Sequence, residues 1–142
     1  MRSVDQILKD KGPEIFSIAP DEPVLTALRK MAEKHCGALV VMRGSALVGI
    51  FSERDYARKV VLLGRTSADT PVSQIMSSPV TTVTRGASVN ECLQLMTDKR
   101  IRHLPVVDGD RVAGVLSIGD LVKAVIDDQR TQIEDLERFI RS

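Results

Sequence analysis

The stretches Gly49–Asp55, "GIFSERD", and Gly114–Asp120, "GVLSIGD", share one spelling: glycine, two apolar residues, serine, two variable residues, aspartate. They start 65 positions apart in a chain of 142 residues. The same offset sets Val24 on Val89, Leu28 on Leu93, Met31 on Met96, Leu39 on Leu104, Val41 on Val106 and Gly44 on Gly109. Upstream, "VDQIL" (Val4–Leu8) matches "VSQIM" (Val72–Met76) at an offset of 68, which places a three-residue insertion near "KDKGPE" in the first copy. A self-match sustained at fixed spacing marks a repeated structural unit. The chain therefore reads as a first repeat over 1–64, a linker over 65–71, a second repeat over 72–126 and a C-terminal helical extension over 127–142.

Both copies spell the same order of elements. A β-branched stretch, "IFSIA" or "VTTV", suits a strand. The turn-like "PDEP" and "RGAS" follow, with Asp21 or Glu22, and Ser88, as helix N-caps. Apolar residues at helical spacing come next: Val24, Leu28 and Met31, matched by Val89, Leu93 and Met96. Two strands, "ALVVM" and "LVGIF" against "HLPVVD" and "VAGVL", flank the glycine turns "RGSA" and "DGDR". A last helix opens at Ser52 or Ser117. The unit is strand, helix, strand, strand, helix, an α/β pattern. One copy of about 60 residues buries too little apolar surface to be stable alone, so the two are expected to pack sheet against sheet.

Composition bounds the function. Hydrophobic residues make up 43% and aromatics 3%, with no Trp, so the core is aliphatic. The 20 basic and 19 acidic side chains nearly cancel, which argues against nucleic-acid and acidic-membrane binding while leaving room for a small anionic ligand. The start "MRSVDQILKDKG" has no long apolar run, so neither a leader nor a membrane span is expected, and the cytoplasm is the expected location. Cys36 and Cys92 then read as reduced, buried small residues rather than a disulfide. With His35 and His103 they form no metal-ligand spacing. No nucleophile–base pair and no glycine-rich phosphate loop occur, so no enzyme is expected.

The two G-x-x-S-x-x-D motifs, the "HLPVVD" strand and the element order together resemble the cystathionine β-synthase (CBS) domain family, paired in tandem as in a Bateman module, from about Val4 to Ile126. The resemblance implies an α/β fold of two β-α-β-β-α repeats related by a pseudo-twofold axis, with two clefts between them. It also implies a homodimer, since such modules commonly pair into discs.

A serine and an aspartate three apart have two readings. As a capping device, the serine accepts a backbone N–H and the acid complements the helix dipole. The chain would then be a ligand-free structural or interaction module. As a ligand site, the helix start with Ser52 or Ser117 suits a phosphate, and Asp55 or Asp120 one turn on suits a ribose diol. In CBS pairs that bind adenosine ligands the matching aspartate holds ribose, which the resemblance carries onto Asp55 and Asp120. The reading adopted is a non-catalytic sensor of AMP, ADP, ATP or NAD, without a catalytic cofactor, acting through a protein partner or its oligomeric state. "SERDYARK" offers Arg54, Arg58 and Lys59, and "DKRIRHLPVV" offers Lys99, Arg100, Arg102 and His103, as candidate phosphate cations, with Arg102 and His103 at the mouth of the strand. Ile18, Gly37, Ala38, Phe51, Val83 and Leu116 are the candidate adenine-lining residues, each equally suited to the core. Gly37-Ala38 in the first copy stands where Arg102-His103 stands in the second, so two unequal sites are expected. In the extension, Ile126, Ile133, Leu136 and Ile140 recur at helical spacing, either packing back on the module or meeting a second copy.

Overall fold

The computed structural model describes residues 3–141. Helix α1 (Val4–Lys11) is closed by a capping box in which Ser3 and Gln6 bond each other's backbone N–H. The first repeat continues with β1 (Ser17–Ile18), α2 (Val24–Lys34), β2 (Ala38–Arg43), β3 (Ala46–Ser52), α3 (Glu53–Tyr56) and a π-helical turn over Ala57–Val61. The second supplies a 3-10 turn (Val72–Gln74), α4 (Val89–Lys99), β4 (His103–Asp108), β5 (Arg111–Ser117) and α5 (Ile118–Arg141). The fold is mixed α/β with two structural repeats, small sheets and a long C-terminal helix.

The sheets repeat their register as the sequence does. Strand β1 runs parallel to β2 with Ile18 opposite Val41, and β2 pairs antiparallel with β3. In the second repeat the stretch "VTTV" contributes a single parallel bridge, Val83 to Val106, at the equivalent positions. The expected N-caps of α2 are corrected. Pro23 is the N-cap residue and provides no side-chain bond. A residue before proline is pushed out of helical conformation, which leaves Asp21 and Glu22 outside the helix; Glu22 instead accepts the Ala19 N–H at 3.0 Å. Ser88 does cap α4, reciprocally with Glu91. Cys92 is fully buried, and burial pushes its thiol pKa up; Cys36, expected to be buried too, is only half-buried at the helix end.

The chain divides into two compact bodies that cut across the repeats. Among the described residues, one comprises 3–14, Thr82–Asp108 and 113–141; the other comprises Ile15–Thr81 and Gly109–Val112. The leading segments are therefore exchanged. Val4, Ile7 and Leu8 of α1 join the core of Val89, Cys92, Met96, Leu104, Val106, Leu116 and Leu121. Val72 and Ile75 join the core of Ile18, Val24, Met31, Leu39, Val41 and Phe51. Arg85 ties α1 down, donating to Asp5 at 2.7 Å and to Asp108 at 2.8 Å.

This exchange explains the glycine that opens each motif. A Cβ on Gly49 would lie 2.8 Å from Cγ of Met76, and one on Gly114 would lie 2.6 Å from Cδ2 of Leu8. Met76 and Leu8 are the matching fifth residues of "VSQIM" and "VDQIL". Each exchanged segment thus lays its last apolar side chain over a strand glycine. Gly49→Ala and Gly114→Ala should each lower stability by about 1–3 kcal/mol through overpacking. Leu8→Ala alone should cost about 2–5 kcal/mol, and urea unfolding should show the Gly114→Ala/Leu8→Ala double losing less than the sum, because the new methyl fills part of the vacated space. Strict additivity would mean that the two side chains do not share that space.

Candidate functional site

Both strand-to-helix junctions are built alike. Ser52 leaves β3 in extended conformation and caps α3, its Oγ accepting the Asp55 N–H at 3.2 Å. Oδ2 of Asp55 folds back to accept the Ser52 N–H and the Ser52 hydroxyl, both at 3.0 Å. At the second junction Oγ of Ser117 accepts the Asp120 N–H at 3.1 Å, and Asp120 Oδ2 accepts the Ser117 N–H at 2.8 Å. The first N–H of each helix is also engaged: Glu53 donates to the Gly37 carbonyl and Ile118 to the Arg102 carbonyl. The structure thus brings Gly37 beside the first motif and Arg102 beside the second. Ala38 lies opposite Ser52 in the sheet, while His103 begins β4 directly after Arg102.

The two aspartates differ in what else holds them. Ser77 pairs its backbone with Ile50 on the edge of β3, its N–H donating to the Ile50 carbonyl at 2.9 Å. That pairing delivers the Ser77 hydroxyl to Asp55 Oδ1 at 3.0 Å. Lys59, one turn beyond Asp55, reaches the same oxygen at 3.2 Å and donates to the Ile75 carbonyl. Both Asp55 oxygens are committed, and the residue is buried. At the second motif one side chain stands in for Ser77: Lys11 Nζ donates to the Val115 carbonyl and to Asp120 Oδ2, each at 2.7 Å. Val115 is the repeat equivalent of Ile50. All these bonds to Asp120 fall on Oδ2. Burial works to raise the Asp120 pKa, but the Lys11 hydrogen bond, the Ser117 backbone N–H and the Lys11 charge outweigh it and hold the carboxyl below its ordinary value.

Asp120 also borders a depression of about 230 Å³ lined by Ile7, Asp10, Lys11, Lys123 and Ala124. The other anticipated residues are distributed as follows. Arg54, Arg58, Arg100 and Arg102 are exposed, and His103 is half-buried. Arg100 closes α4 in left-handed conformation, as His35 closes α2. Phe51 and Leu116 have no exposed surface, and Ile18 and Val83 are buried with them in the two cores. Lys11 and Ser77 were not anticipated at the site, whereas Lys59, expected as a phosphate cation, pairs with Asp55. Lys59 had a signal, four residues from Asp55 in "SERDYARK"; Lys11 sits beside the insertion that interrupts the repeat offset.

Two strand–helix junctions with reciprocally bonded Ser–Asp pairs define a tandem two-repeat module. The CBS domain family model matches residues 7–62 and 72–127, and the chain belongs to that family. A mitochondrial CBS-domain protein of Arabidopsis thaliana, CBSX3, is 37% identical, the match spanning 98% of this chain and 72% of the relative. Among solved structures, a CBS-domain protein of Burkholderia ambifaria named for signal transduction is 50% identical with a TM-score of 0.86, over 90% of this chain and 96% of the other. The CBS-domain protein PAE2072 of Pyrobaculum aerophilum, solved in complex with AMP, is 27% identical with a TM-score of 0.78, over 92% and 99% of the two chains.

A pH prediction follows from Lys11. Asp120 has a depressed folded-state pKa, so its contribution to stability is full above the unfolded carboxylate value and lost as pH falls through the folded one. Lys11→Met keeps the aliphatic stem and removes the charge. It should cost about 1 kcal/mol at neutral pH, the upper range for a partly exposed pair, and the gap to wild type should close below about pH 4. Thermal melts of both proteins across that range check it; a gap independent of pH would place the effect elsewhere.

Proposed function

We propose that the chain is a non-catalytic regulatory module that binds an adenosine nucleotide at its Ser–Asp motifs. The observation that carries the reading is Asp120, an ionised carboxylate held at a helix start. Among the described residues its bonds, from Lys11 and Ser117, fall on one oxygen, and the other is the one to take a ribose hydroxyl. The adjoining depression is smaller than the roughly 300–1,000 Å³ of whole-ligand pockets, which suits the sugar-phosphate part of a nucleotide. Lys11 and Lys123 in its lining, with Arg102 beside Ser117, supply positive charge for phosphate. The AMP bound by PAE2072 supports an adenosine ligand. In this reading Ser117 and His103 also face phosphate. At the first motif Asp55 holds ribose, Ser52, Arg54 and Arg58 address phosphate, and Gly37 and Ala38 leave room for an extended ligand such as NAD. The output passes through a protein partner or a homodimer, in the cytoplasm.

A second reading has one specific observation behind it at the first motif alone: both Asp55 oxygens are already bonded by Ser52, Ser77 and Lys59. There the pair acts as a helix cap, and the nucleotide site is that of Asp120.

Isothermal titration of AMP, ATP and NAD separates these. Asp120→Ala should remove a site outright, since each lost hydrogen bond to a charged group is worth about 1.5–3 kcal/mol. Asp55→Ala should do the same at the first motif on the main reading, and leave binding unchanged on the second. Unchanged affinity in both variants would end the nucleotide proposal.

Arg102→Ala supplies an independent check on the phosphate assignment. It should weaken AMP about tenfold while leaving adenosine binding nearly intact, with the loss confined to the Asp120 site. Equal weakening of AMP and adenosine would mean that Arg102 does not meet phosphate.

A further inference from the structure

Helix α5 runs 24 residues, and its buried residues, Leu121 and Ala124, lie in its first two turns. The packing-back alternative for the extension therefore fails: Ile133 is 57% exposed, Leu136 60% and Ile140 75%. Isolated surface apolar residues are ordinary. These, with Ile126, instead form one stripe, because positions 126, 129, 133, 136 and 140 advance in alternating steps of three and four. That is the seam spacing of paired helices. Gln129 is its one polar member.

We propose that this tail, residues 126–141, pairs antiparallel with the tail of a second copy of the chain. The inference deepens the homodimer reading above and rests on it. Charge selects the occupant. Over residues 126–141 the acids outnumber the bases five to three, which disfavours an anionic lipid surface. It also selects the direction. Parallel helices would set Arg130 and Glu137 beside Val125 and Gln132, whereas antiparallel helices set the two charges against each other. Register follows as well. With Ile133 of one copy facing Leu136 of the other, Arg130 of each flanks Glu137 of its mate, an opposite-charge pair made twice by symmetry. A shift by one heptad to the longer overlap would set Arg130 against Arg130 and pass Glu137 to Lys123. Both registers make two opposite-charge pairs, and the first avoids the like-charge contact of its neighbour.

Sedimentation equilibrium on the full chain tests this, with far-UV circular dichroism to verify folding; all three substituted positions lie outside the core. Wild type should be a dimer at tens of micromolar. Leu136→Asp should make it monomeric. Arg130→Glu and Glu137→Arg should each weaken the dimer about tenfold, and the double charge swap should restore it. A monomeric wild type overturns both the tail pairing and the homodimer reading. A dimer that survives Leu136→Asp overturns the tail pairing and leaves the homodimer standing. Failure of the swap to restore association overturns the antiparallel register, and co-sedimentation with phosphatidylglycerol vesicles in place of self-association assigns the stripe to lipid instead.

Discussion

A carboxylate folded back onto the N–H of the serine that caps its own helix fixes the junction between strand and helix in both repeats. The bond set is local, spanning three residues, and it recurs with nearly the same distances at Ser52–Asp55 and Ser117–Asp120. It satisfies two of the donors that a helix start leaves without partners. Because the strand before it is held in a sheet and the helix after it is buried on one face, the junction also holds the acid in a fixed position. A carboxylate so fixed can serve a ligand without ordering cost, which is what a binding site requires.

The junctions do not stand alone, because each body borrows the leading segment of the other repeat. Leu8 lies over Gly114 and Met76 over Gly49, and the residues just beyond them, Lys11 and Ser77, reach the motif acids. Core formation and site formation are therefore one event: the segment that fills the core also places the group that holds the aspartate. Neither repeat owns a complete core, which is the physical reason so small a unit occurs as a pair. The two solutions are chemically unequal. A hydroxyl and a lysine engage Asp55 Oδ1, whereas among the described residues Lys11 alone joins the cap at Asp120, on Oδ2.

The repeat, the element order and both Ser–Asp pairs were legible because each depends on residues near in sequence: a period of two in strands, three to four in helices, and a cap of fixed spacing. The α2 start was misplaced because Pro23 overrides the neighbouring acids. The exchange of segments was not legible, since "VDQIL" reads equally well with either core, and only the glycines at 49 and 114 record what packs on them. Lys11 was hidden for the same reason; its partners Val115 and Asp120 lie more than a hundred positions away. Candidate adenine-lining residues such as Phe51 and Leu116 fill the cores, where apolar character alone cannot separate packing from ligand contact.

The account holds that the carboxylate which closes the helix start also receives ribose, with Lys11 sharing it. A crystal structure of the chain grown with AMP tests that most directly. The account predicts a ribose hydroxyl at hydrogen-bonding distance from Asp120, with the Ser117 cap still in place. Nucleotide bound away from both aspartates, or ribose facing solvent with both caps undisturbed, would contradict it.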